Sequence, residues 1–268
     1  MKKIIFVLLL GTVIMQDLHA GGPWIDKKGS IYTQLGFTFL TYSGAFNSEG
    51  GTGLLPATVR DRTISGFVNY SLTDRTAISA VLPLKLVEYR SESLTNIGDI
   101  SVQFKHSLLK DFPLSVYYGY TAPTATFGDS VRTGFKEHAI DLGLSIGHSN
   151  DEFYTYLSGG YKYRTNIPGQ VIIDSEIGTS IDIGERKLLL AFHIDAAVNT
   201  SDLDEPDLPT LNSNLYNYNG QYVSPGIKIS YNVFSNFWIN VASFGAVFAE
   251  NQGAAPSLNV GLAYNRKK

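Results

Sequence analysis

Ile97-Gly98-Asp99-Ile100-Ser101-Val102-Gln103-Phe104-Lys105-His106-Ser107-Leu108 is the stretch that decides how this chain folds. Ile100, Val102, Phe104 and Leu108 take one side. Asp99, Ser101, Gln103, Lys105 and Ser107 take the other, which is the period of two that only an extended strand keeps. The pattern recurs outward in both directions. In 138–148, Ile140, Leu142, Leu144 and Ile146 oppose Asp141, Gly143, Ser145 and Gly147. In 171–183, Ile173, Ile177 and Ile181 oppose Asp174, Glu176 and Asp182.

Followed along the whole chain, this alternation predicts strands at about 30–46, 59–73, 76–89, 97–109, 113–125, 138–149, 153–165, 171–183, 187–199, 222–232, 237–248 and 257–265. Their connections alternate in length. Thr73–Arg75, Lys110–Phe112, Asn150–Glu152, Gly184–Arg186 and Val233–Ser235 are tight turns. The segments 47–58, 90–96, 126–137, 166–170, 200–221 and 249–256 are longer loops. Short turns on one edge and long loops on the other are the layout of bacterial outer-membrane barrels, with an even strand count placing both termini on the short-turn side. The strands are also long. A strand tilted across the hydrocarbon needs about 9–11 residues, whereas soluble strands average about 5–6.

Side-chain chemistry points the same way. Tyr70, Phe112, Phe153, Phe237 and Tyr264 sit near the short turns, and Phe39, Tyr42, Tyr89, Tyr120, Tyr163 and Phe248 near the long loops, as two interfacial girdles would. The apolar face carries Ile78, Leu82, Leu84, Val116, Tyr118, Leu190, Phe192 and Ile194. The polar face carries Gln34, Asn69, Lys85, Asp99, Lys105, Asp141, Lys162, Arg164, Asp174, Glu176, Asp182, His193, Asp195, Lys228 and Asn240. Facing a dry protein core, those charges would each need a partner. Facing a wet lumen, they do not. The fold class expected is therefore all-β: a transmembrane antiparallel up-and-down β-barrel of about 12 strands.

The first residues stand apart. Lys2 and Lys3, the apolar run Ile4–Met15 and the polar tail ending at Ala20 form the three parts of a secretory signal peptide. The run is too short to span a bilayer, which takes roughly 20 residues. The expected organisation is a cleaved signal peptide at 1–20 and an outer-membrane β-barrel domain at 21–268, located in the outer membrane of a Gram-negative bacterium.

The chain has no cysteine, which excludes disulfides, thiol catalysis, thiolate metal sites and a lipoprotein anchor. Its 21 Lys+Arg stand against 24 Asp+Glu. Removing Lys2, Lys3 and Asp17 leaves 19 against 23, and no basic patch suggests a nucleic-acid partner. Motifs for chemistry are weak. His148 and Ser149 are adjacent, so on a strand they point to opposite faces and cannot form an activated pair. His193 and Asp195 share a face, and an ion-pair role suits them better than catalysis. The carboxylates Asp202, Asp204, Glu205 and Asp207 recommend calcium only weakly, because Pro206 and Pro209 interrupt a spacing that is not that of an EF-hand. Gly128-Asp129 and Arg132-Thr133-Gly134 lie in a predicted loop with no helix behind them, so no phosphate-binding motif is read there. No catalytic, cofactor or metal residue is assigned.

Three short segments carry a resemblance: Tyr70-Ser71-Leu72-Thr73-Asp74-Arg75, Asn96-Ile97-Gly98-Asp99-Ile100, and Gly134 with Asp141-Leu142-Gly143-Leu144-Ser145. In these the chain resembles the outer-membrane barrel family associated with the meta-pathway of phenol degradation. The resemblance implies a transport barrel and carries no defined set of binding residues. The last strand, Leu258 to Asn265, is similar to the C-terminal signal of outer-membrane barrels, although that signal ends in an aromatic residue and this chain ends Asn265-Arg266-Lys267-Lys268.

The function expected is passive passage of a small molecule through the lumen. The lining candidates are Lys85, Asp99, Lys105, Asp141, Lys162, Arg164, Asp174, Glu176, His193, Asp195 and Lys228, with 47–58, 126–137 and 200–221 forming an outer vestibule. One alternative is a structural or adhesive barrel with an ion-pair-plugged lumen; another is an outer-membrane lipid hydrolase. The expected partners are outer-membrane lipid, an unknown small-molecule solute and, during biogenesis, the barrel assembly machinery. No cofactor is expected.

Overall fold

The structure is a computed structural model that describes residues 22–201, 213 and 215–268. The signal segment 1–20 and the acidic stretch 202–207 lie outside the described residues. Fourteen strands are described, in chain order: β1 Ile31–Phe46, β2 Thr52–Thr73, β3 Thr76–Tyr89, β4 Glu92–Ile97, β5 Ile100–Ser107, β6 Leu114–Ala122, β7 Ala139–Ser149, β8 Phe153–Arg164, β9 Gln170–Ile183, β10 Arg186–Asn199, β11 Gln221–Phe234, β12 Phe237–Phe244, β13 Phe248–Glu250 and β14 Ser257–Arg266.

Each strand pairs antiparallel with its neighbours, and the ladder closes on itself. β14 pairs with β1, and β10 with β11. β4 and β5 both lie along β3, and β12 and β13 both lie along β11. Each pair is one wall strand with a break, so the barrel wall has twelve. Closure leaves no unpaired edge in the hydrocarbon, the condition for spanning a bilayer with strands.

The apolar alternation predicted from sequence sets which way each side chain points. Leu82, Leu84, Tyr118 and Phe192 stand exposed on the outside, with Ile78, Val116, Leu190 and Ile194 half-buried in the same outward rows. The exposed large apolar residues run round the whole wall, from Leu35 through Leu142 and Ile177 to Leu262. Such a continuous outer band is the lipid-facing surface of a membrane barrel. Its lower rim holds Phe234, Phe237 and Tyr264, with ring centroids 4.8 and 5.1 Å apart. The tight turns need little glycine. Gly184, at φ +61°, supplies the left-handed residue of the β9–β10 turn.

The loop side differs from expectation in three places. β2 begins at Thr52 and β4 occupies Glu92–Ile97. Most of the expected loops 47–58 and 90–96 are thus strand, because hairpins β1–β2 and β3–β4 keep pairing beyond the membrane. The third difference, at 126–137, shapes the site.

Candidate functional site

The eleven sequence-selected charges reach the lumen side of the wall, but they do not line one open ring. The register groups them. Opposite each other across β9 and β10 stand Asp174 with Asp195, and Glu176 with His193. Glu176 is the hub of one cluster. Its carboxylate accepts hydrogen bonds from Tyr154 Oη at 2.7 Å and Lys228 Nζ at 2.5 Å, and pairs with His193 Nδ1 at 3.1 Å. Asp174 lies 4.0 Å from the other His193 nitrogen, and Asp195 accepts the Tyr222 hydroxyl at 2.9 Å. Lys162 pairs with Asp141 at 3.6 Å. Higher up, Lys85 pairs with Asp61 at 2.9 Å and also donates to Thr63 Oγ1.

Three of the eleven are structural anchors rather than free lumen charges. Asp99, expected as a selectivity charge, instead accepts backbone N–H bonds from Ala125, Phe135 and Lys136 at 3.1, 2.7 and 3.1 Å. Arg164 is buried and donates from Nε to the Pro168 carbonyl at 2.6 Å. Lys105 donates to the backbone carbonyl of Gly22 at 2.5 Å. Asp182, also placed on the polar face by its parity, sits exposed next to the β9–β10 turn.

The contacts of Asp99 expose the largest correction. The loop 123–137 is not part of a vestibule; it folds down into the mouth as a lid. Thr124 Oγ1 donates to Gly98 O and Thr133 Oγ1 to Ile97 O, tying the loop to the break between β4 and β5. At Gly98 a Cβ would come within 2.8 Å of the Thr133 carbonyl, so the lid can lie this close only against glycine. Glu92 receives the amides of Asp129 and Ser130, each at 2.8 Å. Val131 is then wholly buried with Tyr42, Val59, Val87, Tyr89 and Leu215, the hydrophobic core at the loop end of the barrel. Arg132 is buried between the rings of Phe127 and Tyr218, at 4.3 and 4.9 Å. Tyr216 completes the seal. Its hydroxyl bonds Asp61 at 3.2 Å, and its ring lies under Lys85 and against Phe135. Burial, reinforced by the charge of Asp61, pushes the Tyr216 phenol well above its ordinary range.

The other end is filled by residues 22–29. Gly29 N–H bonds the Ser71 carbonyl, and Lys28 N–H the Asp74 carboxylate, at the short-turn rim. From there the segment runs inward to Gly22, with Trp24 packed edge-on against Tyr154 and Tyr156. Between this segment and the lid lies a cavity of about 490 Å³, with Gly22 at one end and Phe135 at the other. Its walls include Lys105, Lys162, Asp174 and Asp195 together with Phe67, Tyr117 and Tyr222. A second cavity of about 290 Å³ adjoins Glu176 and Lys228, where Gln34 Oε1 accepts from Tyr32 and Asn240.

The sequence reading missed Asp61, Tyr154, Tyr216, Arg132 and Trp24. No group of three or more metal-binding side chains occurs among the described residues. His148 is exposed on the outer row while Ser149 has the opposite parity, so no nucleophile–base pair forms there.

Comparison with known proteins agrees with the architecture. No family model matches the chain, and no curated protein matches it. Among solved structures it is similar to the COG4313 outer membrane channel from Pseudomonas putida F1. The TM-score is 0.67 and the identity 13%, over 93% of this chain and 100% of that one. It is also similar to the translocator domain of the autotransporter NalP from Neisseria meningitidis, with TM-score 0.52, 11% identity and 88% of each chain covered. A third is a mutant of TodX, a monoaromatic hydrocarbon channel, with TM-score 0.50, 11% identity and 90% and 91% covered. The chain has the fold of outer-membrane β-barrels, channels of this kind among them.

Proposed function

We propose that this barrel is a passive channel carrying a small molecule across the outer membrane, with no chemical step. The observation that carries the reading is the central cavity held between two segments that are not wall: Gly22–Lys28 below and the lid 123–137 above. Both are seated by hydrogen bonds and ring contacts, the kind of contact that a local rearrangement can undo without breaking the wall. The cavity presents Lys105, Lys162, Asp174 and Asp195 beside Phe67, Tyr117, Phe135 and Tyr222. That mixture suits a small solute with an aromatic or other apolar part and a polar group. The monoaromatic hydrocarbon channel among the similar folds, and the resemblance to the phenol meta-pathway family, support transport of such a solute without fixing phenol as its identity. Removal of residues 1–20 on export would make the lumen segment the beginning of the mature chain.

A second reading is favoured by the ion pairs Lys85–Asp61 and Lys228–Glu176: a permanently filled barrel with a structural or adhesive role. Single-channel recording of the refolded protein, combined with uptake of small aromatic solutes into loaded liposomes, separates the two. Discrete conductance steps with solute uptake establish the channel. A folded, heat-modifiable protein that shows neither overturns it in favour of the filled barrel.

A further inference from the structure

The lipid-facing rows of β1–β4 change character abruptly. One register row reads Phe37, Ile64, Leu84, Ile97 and is wholly apolar. Two residues higher the row reads Phe39, Arg62, Leu86, Thr95; two higher again it reads Thr41, Arg60, Glu88, Ser93. Arg62 lies ten residues along β2 from Leu72, the exposed apolar residue beside the short turn. At about 3.3 Å per residue and a tilt near 40°, that is roughly 25 Å of height, the depth of the apolar band of an outer-membrane barrel. Arg60 and Arg62 therefore stand at the level where outer-leaflet acyl chains give way to headgroups.

Their local charge is unbalanced. Both guanidiniums approach the same oxygen of Glu88, at 3.8 and 3.7 Å. These are ion-pair distances but exceed hydrogen-bond length. The arginine side chains are 53% and 49% exposed. One carboxylate thus serves two guanidiniums, leaving one positive charge and most of ten N–H donors turned outward. At this end of the other wall strands, the outward rows hold no Lys or Arg among the described residues. On β6 and β8 the corresponding level is aromatic, with Tyr120, Tyr161 and Tyr163 exposed. A planar guanidinium pair beside exposed Phe39, with threonine and serine hydroxyls on the same two rows, fits a phosphate attached to an acyl-bearing sugar.

We propose that Arg60 and Arg62 form a binding site for the phosphate of a phosphorylated glycolipid of the outer leaflet, with the acyl chains lying against the Phe37–Ile64–Leu84 row. Glu88 holds the two arginines on one face and competes with the phosphate for them.

The test is native mass spectrometry of the refolded protein in detergent. The probes are bis-phosphorylated lipid A, the same lipid stripped of its phosphates, and phosphatidylglycerol as a phosphate-bearing lipid without the sugar. The expected result is one lipid A per barrel, retained at least tenfold better than either of the other two. The Arg60→Gln/Arg62→Gln double variant loses that preference, and Glu88→Gln strengthens it severalfold. Each variant is first shown to be folded by its heat-modifiable gel shift, which does not depend on lipid A. Equal retention of the dephosphorylated lipid, an unchanged preference in the double variant, or equal binding of phosphatidylglycerol overturns the proposal. None of these outcomes bears on whether the lumen conducts.

Discussion

The Gly22 carbonyl accepts a hydrogen bond from the Lys105 ammonium, so a lysine near the short-turn end of the barrel wall, opposite Ala77, holds the segment Gly22–Lys28 inside the lumen. Trp24 follows two residues later, its indole placed where a Cβ on Gly147 would come within 2.9 Å of the ring. Lysine, glycine and tryptophan together fit the segment Gly22–Lys28 against the inside of the wall.

Loosening that stopper should open the short-turn side. Trp24→Ala removes the edge contacts to Tyr154 and Tyr156, each worth about 0.5–1.5 kcal/mol beyond burial. Gly147→Leu, on the strand beside Tyr156, pushes Pro23 and Trp24 off the wall. Both variants should raise mean single-channel conductance severalfold and, by freeing the backbone around the already exposed Lys27 and Lys28, speed cleavage there by trypsin while the barrel stays folded. If neither conductance nor cleavage changes, the segment is not a barrier to passage.

How much of this was legible in the sequence follows from how each feature is encoded. The wall was readable because Ile140, Leu142, Leu144 and Ile146 repeat every second residue, and lipid on one side with water on the other enforces that repeat. Ion pairs were less so: Lys85 meets Asp61 only because the register sets Thr63 opposite Lys85, and strand period does not fix register. The lid was invisible. Val131 and Thr133 are buried in a segment without repeat, and its polar composition reads as an exposed loop. Trp24 is a lone aromatic after Gly-Gly-Pro, with no pattern to say that it points inward.

Asp99 anchors the lid. Its carboxylate accepts three backbone N–H groups, and hydrogen bonds to a charged group contribute about 1.5–3 kcal/mol each. Asp99→Asn keeps the shape but can accept fewer of them; Asp99→Ala removes all three. Open probability should rise from wild type through Asn to Ala, with cleavage by trypsin at Arg132 or Lys136 rising in parallel. An Ala variant as quiet as wild type would show that Glu92 and the buried Val131 hold the lid unaided.

Glu176 should matter to stability more than to conductance. It is buried, with Tyr154, His193 and Lys228 directed at it. Breaking a buried pair by removing one partner costs about 3–5 kcal/mol. Lys228 is 36% exposed, so water tempers the loss and the lower end applies. Glu176→Gln should lower the urea midpoint of the barrel clearly, whereas Lys228→Met should lower it much less, since Glu176 keeps its tyrosine and histidine. Equal losses would mean that the lysine, not the carboxylate, organises the cluster.

Tyr216 gives the lid a pH dependence whose sign is fixed. Burial disfavours the phenolate, and Asp61 adds like charge beside it. The closed lid therefore holds the Tyr216 proton more tightly than an open one, in which the phenol titrates near its ordinary value of 10. Closure is at full strength below about pH 10, and weakens as the pH rises from there toward the raised value of the closed state. Conductance of the wild type should thus be flat from pH 6 to 9 and rise above 10. Tyr216→Phe keeps the ring under Lys85 and against Phe135 but has nothing to ionise. It loses only the hydroxyl bond to Asp61, worth on the order of 1 kcal/mol. Its conductance should be slightly higher at neutral pH, and most of the alkaline rise should vanish. An alkaline rise of equal size in both proteins would move the titrating group away from Tyr216 and leave the lid without this lock.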